Sequence, residues 1–147
     1  MKRFIDVHSG EIMAGQGDVI LKSDAESACL IIAAYDPTKK IGALAHAMFE
    51  GGHPHHSSPV LRNATQAIDE MIKDMALLGS QAENIEVSVV AGENVRHNAD
   101  DPVYHQSINE VVAALKKRSV HFSQNLKEEI GSAHLALDVE SGEISCK

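Results

Sequence analysis

Long hydrophobic runs, cysteine and basic residues are all scarce in this sequence, and each scarcity excludes a class of protein. No apolar run approaches the roughly 20 residues that a membrane-spanning helix needs, so we expect no membrane insertion. The N-terminal stretch is interrupted by Asp6, His8 and Gly10, which argues against a secretory signal peptide. The two cysteines are too few for a disulfide framework, which favours a cytoplasmic location.

The charge balance excludes nucleic-acid-binding proteins. The chain has 13 basic and 21 acidic residues and a formal net charge of -8. Nucleic acids and anionic membranes attract clustered Lys and Arg, so we expect neither as a partner. The one basic cluster, Lys116-Lys117-Arg118, closes a predicted helix, where cations stabilise the terminal carbonyls. No glycine-rich phosphate-binding motif leads from a strand into a helix.

The length and the hydrophobic pattern predict one compact domain. A chain of 147 residues with 44% hydrophobic composition can bury a substantial core, and we expect a single domain over residues 1–147. The order of the predicted elements indicates an α+β sandwich of mostly antiparallel β-sheet with two main helices. Strands are predicted at residues 4–7, 10–14, 19–21, 30–35, 41–49, 85–90, 120–122, 135–139 and 144–146, and helices at 59–78 and 108–115.

The most apolar run of the chain begins at a cysteine, and the next run carries a histidine. Cys29 opens the first run and His46 lies in the second, with turn-forming residues 36–40 between them. The two runs predict an antiparallel hairpin. A cysteine and a histidine that folding brings together are a candidate nucleophile and base. The alternatives are a small buried hydrophobic residue at Cys29 and a structural histidine at His46.

The pairing of the hairpin decides whether these two residues share a face of the sheet. If Tyr35 pairs with Lys40, Cys29 lies directly opposite His46. If Tyr35 pairs with Ile41, the two side chains take opposite faces unless a bulge or the strand end redirects Cys29. A reaction between them requires the first pairing or that correction.

A second candidate site consists of histidines. His53, His55 and His56 crowd one polar loop, where they could bind structural zinc or simply face solvent. His97 and His105, in another polar loop, could add ligands from a distance. The loop has neither a paired cysteine nor helical ligand spacing, so we expect no metal site.

Residues 18–23, 27–37 and 41–48 resemble the chemoreceptor glutamine deamidases, the CheD family. That family typically carries a Thr six residues before the Cys of a Gly-Ser-Cys motif, then an apolar strand, an Asp-Pro turn and Gly-Ala-x-Ala-His. In this sequence Ser23 stands at the Thr position, Cys29 at the nucleophile position and His46 at the base position. The resemblance continues, with less specific motifs, over most of the chain.

The resemblance implies a CheD-like fold and a cysteine-dependent protein glutamine deamidase that needs no cofactor. It implies that Cys29 attacks a glutamine side chain of a chemoreceptor-like protein, that His46 transfers protons, and that Ser23 orients the imidazole. It also implies a CheC-type phosphatase as a possible partner.

Several positions depart from the family pattern and leave other functions open. Ser27-Ala28 replaces Gly-Ser before the cysteine, and differences also occur at Glu93, residues 103–107 and residues 128–133. A divergent binding module that docks a chemotaxis or CheC-type partner without catalysis is therefore one alternative. A metal-binding stress or storage protein, based on the histidine loop, is the other.

Overall fold

The computed structural model describes residues 2–8, 11–24, 29–48, 64–91, 113–117, 121–123 and 134–146. Among these described residues, five strands precede helix α1 and four strands follow it. Along the chain the elements are β1 (Arg3–Asp6), β2 (Ile12–Gln16), β3 (Val19–Asp24), β4 (Cys29–Asp36), β5 (Ile41–Met48), α1 (Ala64–Leu78), a 3-10 turn (Ala82–Asn84), β6 (Glu86–Ala91), α2 (described over 113–117), β7 (His121–Ser123), β8 (His134–Asp138) and β9 (Ile144–Cys146).

The strands form two sheets. The four-stranded sheet has the order β1-β3-β8-β9, and the five-stranded sheet has the order β2-β5-β4-β6-β7. The β1–β3 and β6–β7 pairs are parallel, and the other pairs are antiparallel. The prediction of an α+β sandwich of mostly antiparallel sheet with two helices is confirmed. The two parallel pairs were not predicted.

The strands β4 and β5 lie at the centre of the molecule and bury both faces. Such strands read as continuous apolar runs, which explains the sequence pattern of residues 30–35. One face packs in a cluster with the four-stranded sheet, and the opposite face packs in a cluster with the helices. The first, which is the inter-sheet cluster, consists of Val7, Val19, Leu21, Ile31, Ala33, Leu44, Leu135, Leu137 and Val139. The second includes Ile32, Ala34, Ala43 and Ala45 with Ile68, Met71, Met75 and Leu115.

Helix α1 covers the outer face of the five-stranded sheet. Its buried residues recur every three or four positions, as expected for an amphipathic helix. The helix ends at Leu78, as predicted, because Gly79 adopts φ +116. The N–H of Ser80 donates to the Met75 carbonyl and that of Gly79 to the Ala76 carbonyl, which is the Schellman arrangement.

The hairpin between β4 and β5 has neither of the two pairings considered from the sequence. Tyr35 pairs with Gly42 and Asp36 with Ile41, so the loop is 37–40. Asp36 remains in the strand because it is fully buried and accepts hydrogen bonds from the Thr38 N–H and hydroxyl and from the Ser80 hydroxyl. Lys40 closes the loop in the left-handed region, at φ 53.

The first turn of the chain also differs from its prediction. Gly15 and Gln16 were expected in a loop but belong to β2, and the turn into β3 is made by Gly17 and Asp18. Gly17 has φ +75, a conformation that glycine adopts without strain. The following strand extends to Asp24, three residues beyond its predicted end, and therefore includes Ser23.

Several predictions fall outside the described residues. They are the helix start at 59–63, the helical positions 108–112, Ser27-Ala28 and the histidines His53, His55, His56, His97 and His105. In the part of the chain that the structure describes, no helix is long and apolar enough to cross a membrane.

Candidate active site

Ser23 and His46 come from different sheets and meet inside the sandwich. The Ser23 hydroxyl oxygen lies 2.9 Å from Nδ1 of His46, within hydrogen-bond distance. Ser23 is 4% exposed and His46 is 2% exposed. Two of the three residues selected from the sequence are therefore in direct contact.

Strand alternation explains why both residues reach the core between the sheets. On β3, Val19 and Leu21 belong to the inter-sheet cluster, and Ser23 lies two positions further along the same face. On β5, Leu44 belongs to the same cluster, and His46 follows it by the same rule. A polar pair thus replaces the next apolar row at one end of this core.

The Ser23 hydroxyl also contacts the N-terminal part of the chain. Its oxygen lies 2.8 Å from the main-chain carbonyl oxygen of Val7, to which it donates. The N–H of Val7 in turn donates to the carbonyl of Lys22, at 2.7 Å. Val7 is 2% exposed and belongs to the inter-sheet cluster. Val7 was predicted as a strand residue but not as a site residue, because a contact made by the main chain has no signature in the residue type.

The backbone of His46 is held by the neighbouring edge of the sheet. Ala45 pairs with Ile12 of β2, and the N–H of His46 donates to the Glu11 carbonyl at 3.1 Å. His46 is therefore held at two points: its main-chain N–H bonds to Glu11, and Nδ1 of its ring contacts Ser23. Such preorganisation favours a defined catalytic geometry.

Cys29 is the first residue of β4 and pairs with Met48. Ile31 is the residue directly opposite His46. Because side-chain positions alternate along a strand, positions 29 and 31 belong to the same face of the sheet as position 46. Diagonal positions of this kind lie about 7–8 Å apart on neighbouring strands. The backbone therefore places Cys29 and His46 on a common face, although they are not directly opposed.

Metal binding has no candidate among the residues that the structure describes. No group of three or more His, Cys, Asp or Glu side chains there could hold a metal ion. The histidine loop, with His53, His55 and His56, lies outside those residues.

Comparison with known proteins bears on the function of this arrangement. No family model matches the chain. Two curated relatives both bear the name probable chemoreceptor glutamine deamidase CheD. The chain is similar in sequence to these CheD proteins. The CheD relative from Chlorobium luteolum is 28% identical over 118 residues, and the one from Pyrococcus abyssi is 22% identical over 148 residues.

The two CheD relatives differ in how much of their length the chain matches. The alignment with the Chlorobium protein includes 79% of this chain and 58% of the relative. The alignment with the Pyrococcus protein includes 98% of this chain and 91% of the relative. The chain therefore spans little more than half of the first CheD relative and most of the second.

The fold also has similarity to solved structures. The hypothetical protein YfiH of Bacillus licheniformis covers 85% of this chain and 60% of its own, at 12% identity and a TM-score of 0.45.

Proposed function

We propose that this protein is a cysteine-dependent protein glutamine deamidase that converts glutamine side chains of a chemoreceptor-like protein to glutamate. The observation that carries the proposal is the buried hydrogen bond between Ser23 and His46, on the same sheet face as the Cys29 position. The names of the CheD relatives support the class of reaction. The reaction takes place in the cytoplasm, where thiols remain reduced.

The proposed reaction has two halves. In the first, His46 removes the thiol proton of Cys29, and the thiolate sulfur forms a bond to the glutamine side-chain carbonyl carbon. The carbon–nitrogen bond then breaks, and His46 returns the proton to the departing ammonia. The product of this half is a thioester between Cys29 and the substrate. In the second half, His46 removes a proton from water, and the water oxygen bonds to the thioester carbon as the carbon–sulfur bond breaks. His46 then gives the proton to the departing sulfur, which releases glutamate and restores the Cys29 thiol.

The burial of His46 is consistent with a base that serves the nucleophile Cys29. His46 pairs with Ile31, two residue pairs inward from the strand end at Cys29 and Met48, and is itself 2% exposed. A base in such a position exchanges protons with the cysteine while the nucleophile position stays nearer to the end of the sheets. Ser23 acts as a positioning residue, because its hydroxyl contacts the imidazole at Nδ1.

Ammonia release from a glutamine-bearing chemoreceptor fragment tests the proposal. We expect release by the wild-type protein and loss of release in Cys29→Ala. The matched control is Cys146→Ala, which removes the other cysteine of the chain and should leave release unchanged. Unchanged release by Cys29→Ala would end the proposal.

The departure at Ser27-Ala28 favours a second function, in which the CheD-like frame docks a CheC-type phosphatase without catalysis. The two functions differ in the reactivity of Cys29. An activated thiolate is alkylated rapidly near neutral pH, whereas a structural thiol is inert. We expect rapid alkylation of Cys29 by iodoacetamide, slowed by His46→Gln. Slow alkylation in the wild type, together with binding of the phosphatase, would favour the docking function.

A further inference from the structure

Val7 contacts the candidate site through its main chain, although it carries no polar side chain. Its carbonyl oxygen accepts the Ser23 hydroxyl hydrogen at 2.8 Å, and Ser23 lies 2.9 Å from Nδ1 of His46. We propose that Val7 is a positioning residue: its carbonyl fixes the direction of the Ser23–His46 hydrogen bond and places the imidazole proton on Nδ1. The catalytic meaning of this arrangement rests on the proposed deamidase function.

The direction of the bond follows from counting hydrogens. A serine hydroxyl has one hydrogen to donate, and a main-chain carbonyl can only accept. The hydrogen that Ser23 gives to Val7 is therefore not available to His46. At a distance of 2.9 Å the remaining arrangement is an Nδ1–H of His46 that donates to the Ser23 oxygen. In the neutral ring Nε2 then carries the lone pair that a general base requires.

The opposite arrangement would give the wrong base. A hydroxyl whose hydrogen was not fixed by Val7 could rotate and donate to Nδ1 of His46. The proton of the neutral ring would then be on Nε2. The basic lone pair would be on Nδ1, where it faces Ser23 and not a thiol. An acceptor for the serine hydrogen removes this second state.

The position of Val7 is itself well determined. Its N–H donates to the Lys22 carbonyl at 2.7 Å, which continues the parallel β1–β3 pairing one residue beyond Asp6. Its side chain is 2% exposed among Leu21 and Leu137 of the inter-sheet cluster. Hydrogen bonds are stronger in such a surrounding than in water, and those in a series reinforce one another. The N-terminal strand thus serves the site as well as the core.

The tautomer can be measured without any assay of activity. Imidazole ¹⁵N NMR of the full-length protein distinguishes Nδ1–H from Nε2–H, and His46→Gln identifies the His46 signals. We expect the Nδ1–H form in the wild type and in Ser23→Thr, which keeps a hydroxyl. We expect its loss in Ser23→Ala. An Nε2–H form in the wild type would overturn the proposal.

The carbonyl of Val7 can be weakened by an ester in place of the amide between Val7 and His8. A synthetic peptide of residues 1–28 can be ligated at Cys29 to residues 29–147, which gives the full chain. An ester carbonyl is a poorer acceptor, so we expect an Nε2–H signal to emerge as the Nδ1–H signal declines.

The ester also removes the His8 N–H, which donates to the Glu11 carboxylate at 2.8 Å. Glu11→Ala removes that same hydrogen bond and leaves the Val7 carbonyl intact, so it is the matched control and should keep the Nδ1–H form. An unchanged tautomer in the ester protein, with a changed one in Ser23→Ala, would exclude a role for Val7.

These outcomes separate the two proposals. A wild type with Nδ1–H but no ammonia release would remove the deamidase function and leave the role of Val7. Ammonia release from a wild type with Nε2–H would do the reverse. Cys29→Ala should abolish ammonia release without altering the tautomer of His46.

Discussion

Ile31, and not Cys29, lies directly opposite His46 in the β4–β5 pair. Cys29 is two residue pairs further toward the strand end, on the same face of the sheet. Ile31 is 1% exposed and belongs to the apolar cluster between the sheets. This arrangement predicts how individual changes affect activity and stability.

Replacement of His46, the proposed base, should nearly abolish the proposed deamidation while the fold persists. General acid–base catalysis contributes roughly 10²–10⁴-fold to a reaction rate, so His46→Gln should lower kcat for deamidation by about that factor. His8→Gln is the control, because His8 is exposed on the segment after β1. Ammonia release under saturating receptor fragment measures both variants. Equal rates for His46→Gln and the wild type would contradict the role of His46.

Loss of the serine hydroxyl should lower both stability and activity. Ser23→Ala leaves the Val7 carbonyl and Nδ1 of His46 without the partner they share, and a buried polar group that loses its partner costs about 1–3 kcal/mol. Ser23→Thr should recover most of the loss. Urea unfolding monitored by circular dichroism gives the free energies. A Ser23→Thr variant as unstable as Ser23→Ala would show that the hydroxyl is not the stabilising group.

Asp36 should make stability depend on pH. Burial by itself raises the pKa of the Asp36 carboxyl, but hydrogen bonds from Thr38 and Ser80 outweigh it and hold the pKa below its ordinary value of 3.8. A carboxyl with a lowered pKa stabilises the fold above the ordinary value, and this stabilisation is lost as the pH falls through the lowered pKa. Asp36→Asn should therefore be less stable than the wild type at pH 7, by about 1–3 kcal/mol.

The measurement for Asp36 is urea unfolding between pH 7 and pH 3. The difference between Asp36→Asn and the wild type should shrink toward acid pH. Glu86→Gln, a change at an exposed carboxylate of β6, is the control and should show a small difference throughout. A difference in unfolding free energy between Asp36→Asn and the wild type that is constant with pH would contradict the prediction.

Two glycines with similar backbone angles should respond differently to alanine. Gly142 has φ +79, and a Cβ there would lie 2.4 Å from Cε2 of Tyr35. Gly17 has φ +75, and a Cβ there would meet nothing within 4 Å. Gly17→Ala should cost about 1–2 kcal/mol, for the left-handed backbone alone. Gly142→Ala should cost clearly more, because the Tyr35 ring must also move. Equal midpoints in thermal unfolding would show that the ring moves freely.

The central hairpin and the end of α1 could be predicted from sequence, because local signals specify them. Residues 30–35 form a continuous apolar run, and Gly79 is a strong helix terminator. The register of the hairpin could not be predicted. It depends on Asp36, whose carboxylate is bound by Ser80, a residue 44 positions away. Long-range partners of this kind leave no mark in the local pattern.

The candidate site also has residues that could be predicted from the sequence and one that could not. Residue types and family motifs are properties of side chains, and they were enough to select Ser23, Cys29 and His46. Val7 was not selected, because its contact uses a carbonyl that every residue has. The parallel pairing of β1 with β3, which brings Val7 to Ser23, also has no signal in the sequence, because it joins strands that β2 separates in the chain.

Peptide mapping of a chemoreceptor fragment after rapid acid quenching tests the central claim most directly. With the wild-type protein, we predict conversion of glutamine to glutamate and a transient thioester between the receptor peptide and the peptide that contains Cys29. With Cys29→Ala, both should be absent. Glutamate formation by Cys29→Ala at the wild-type rate, with no adduct on Cys29 in the wild type, would contradict the account.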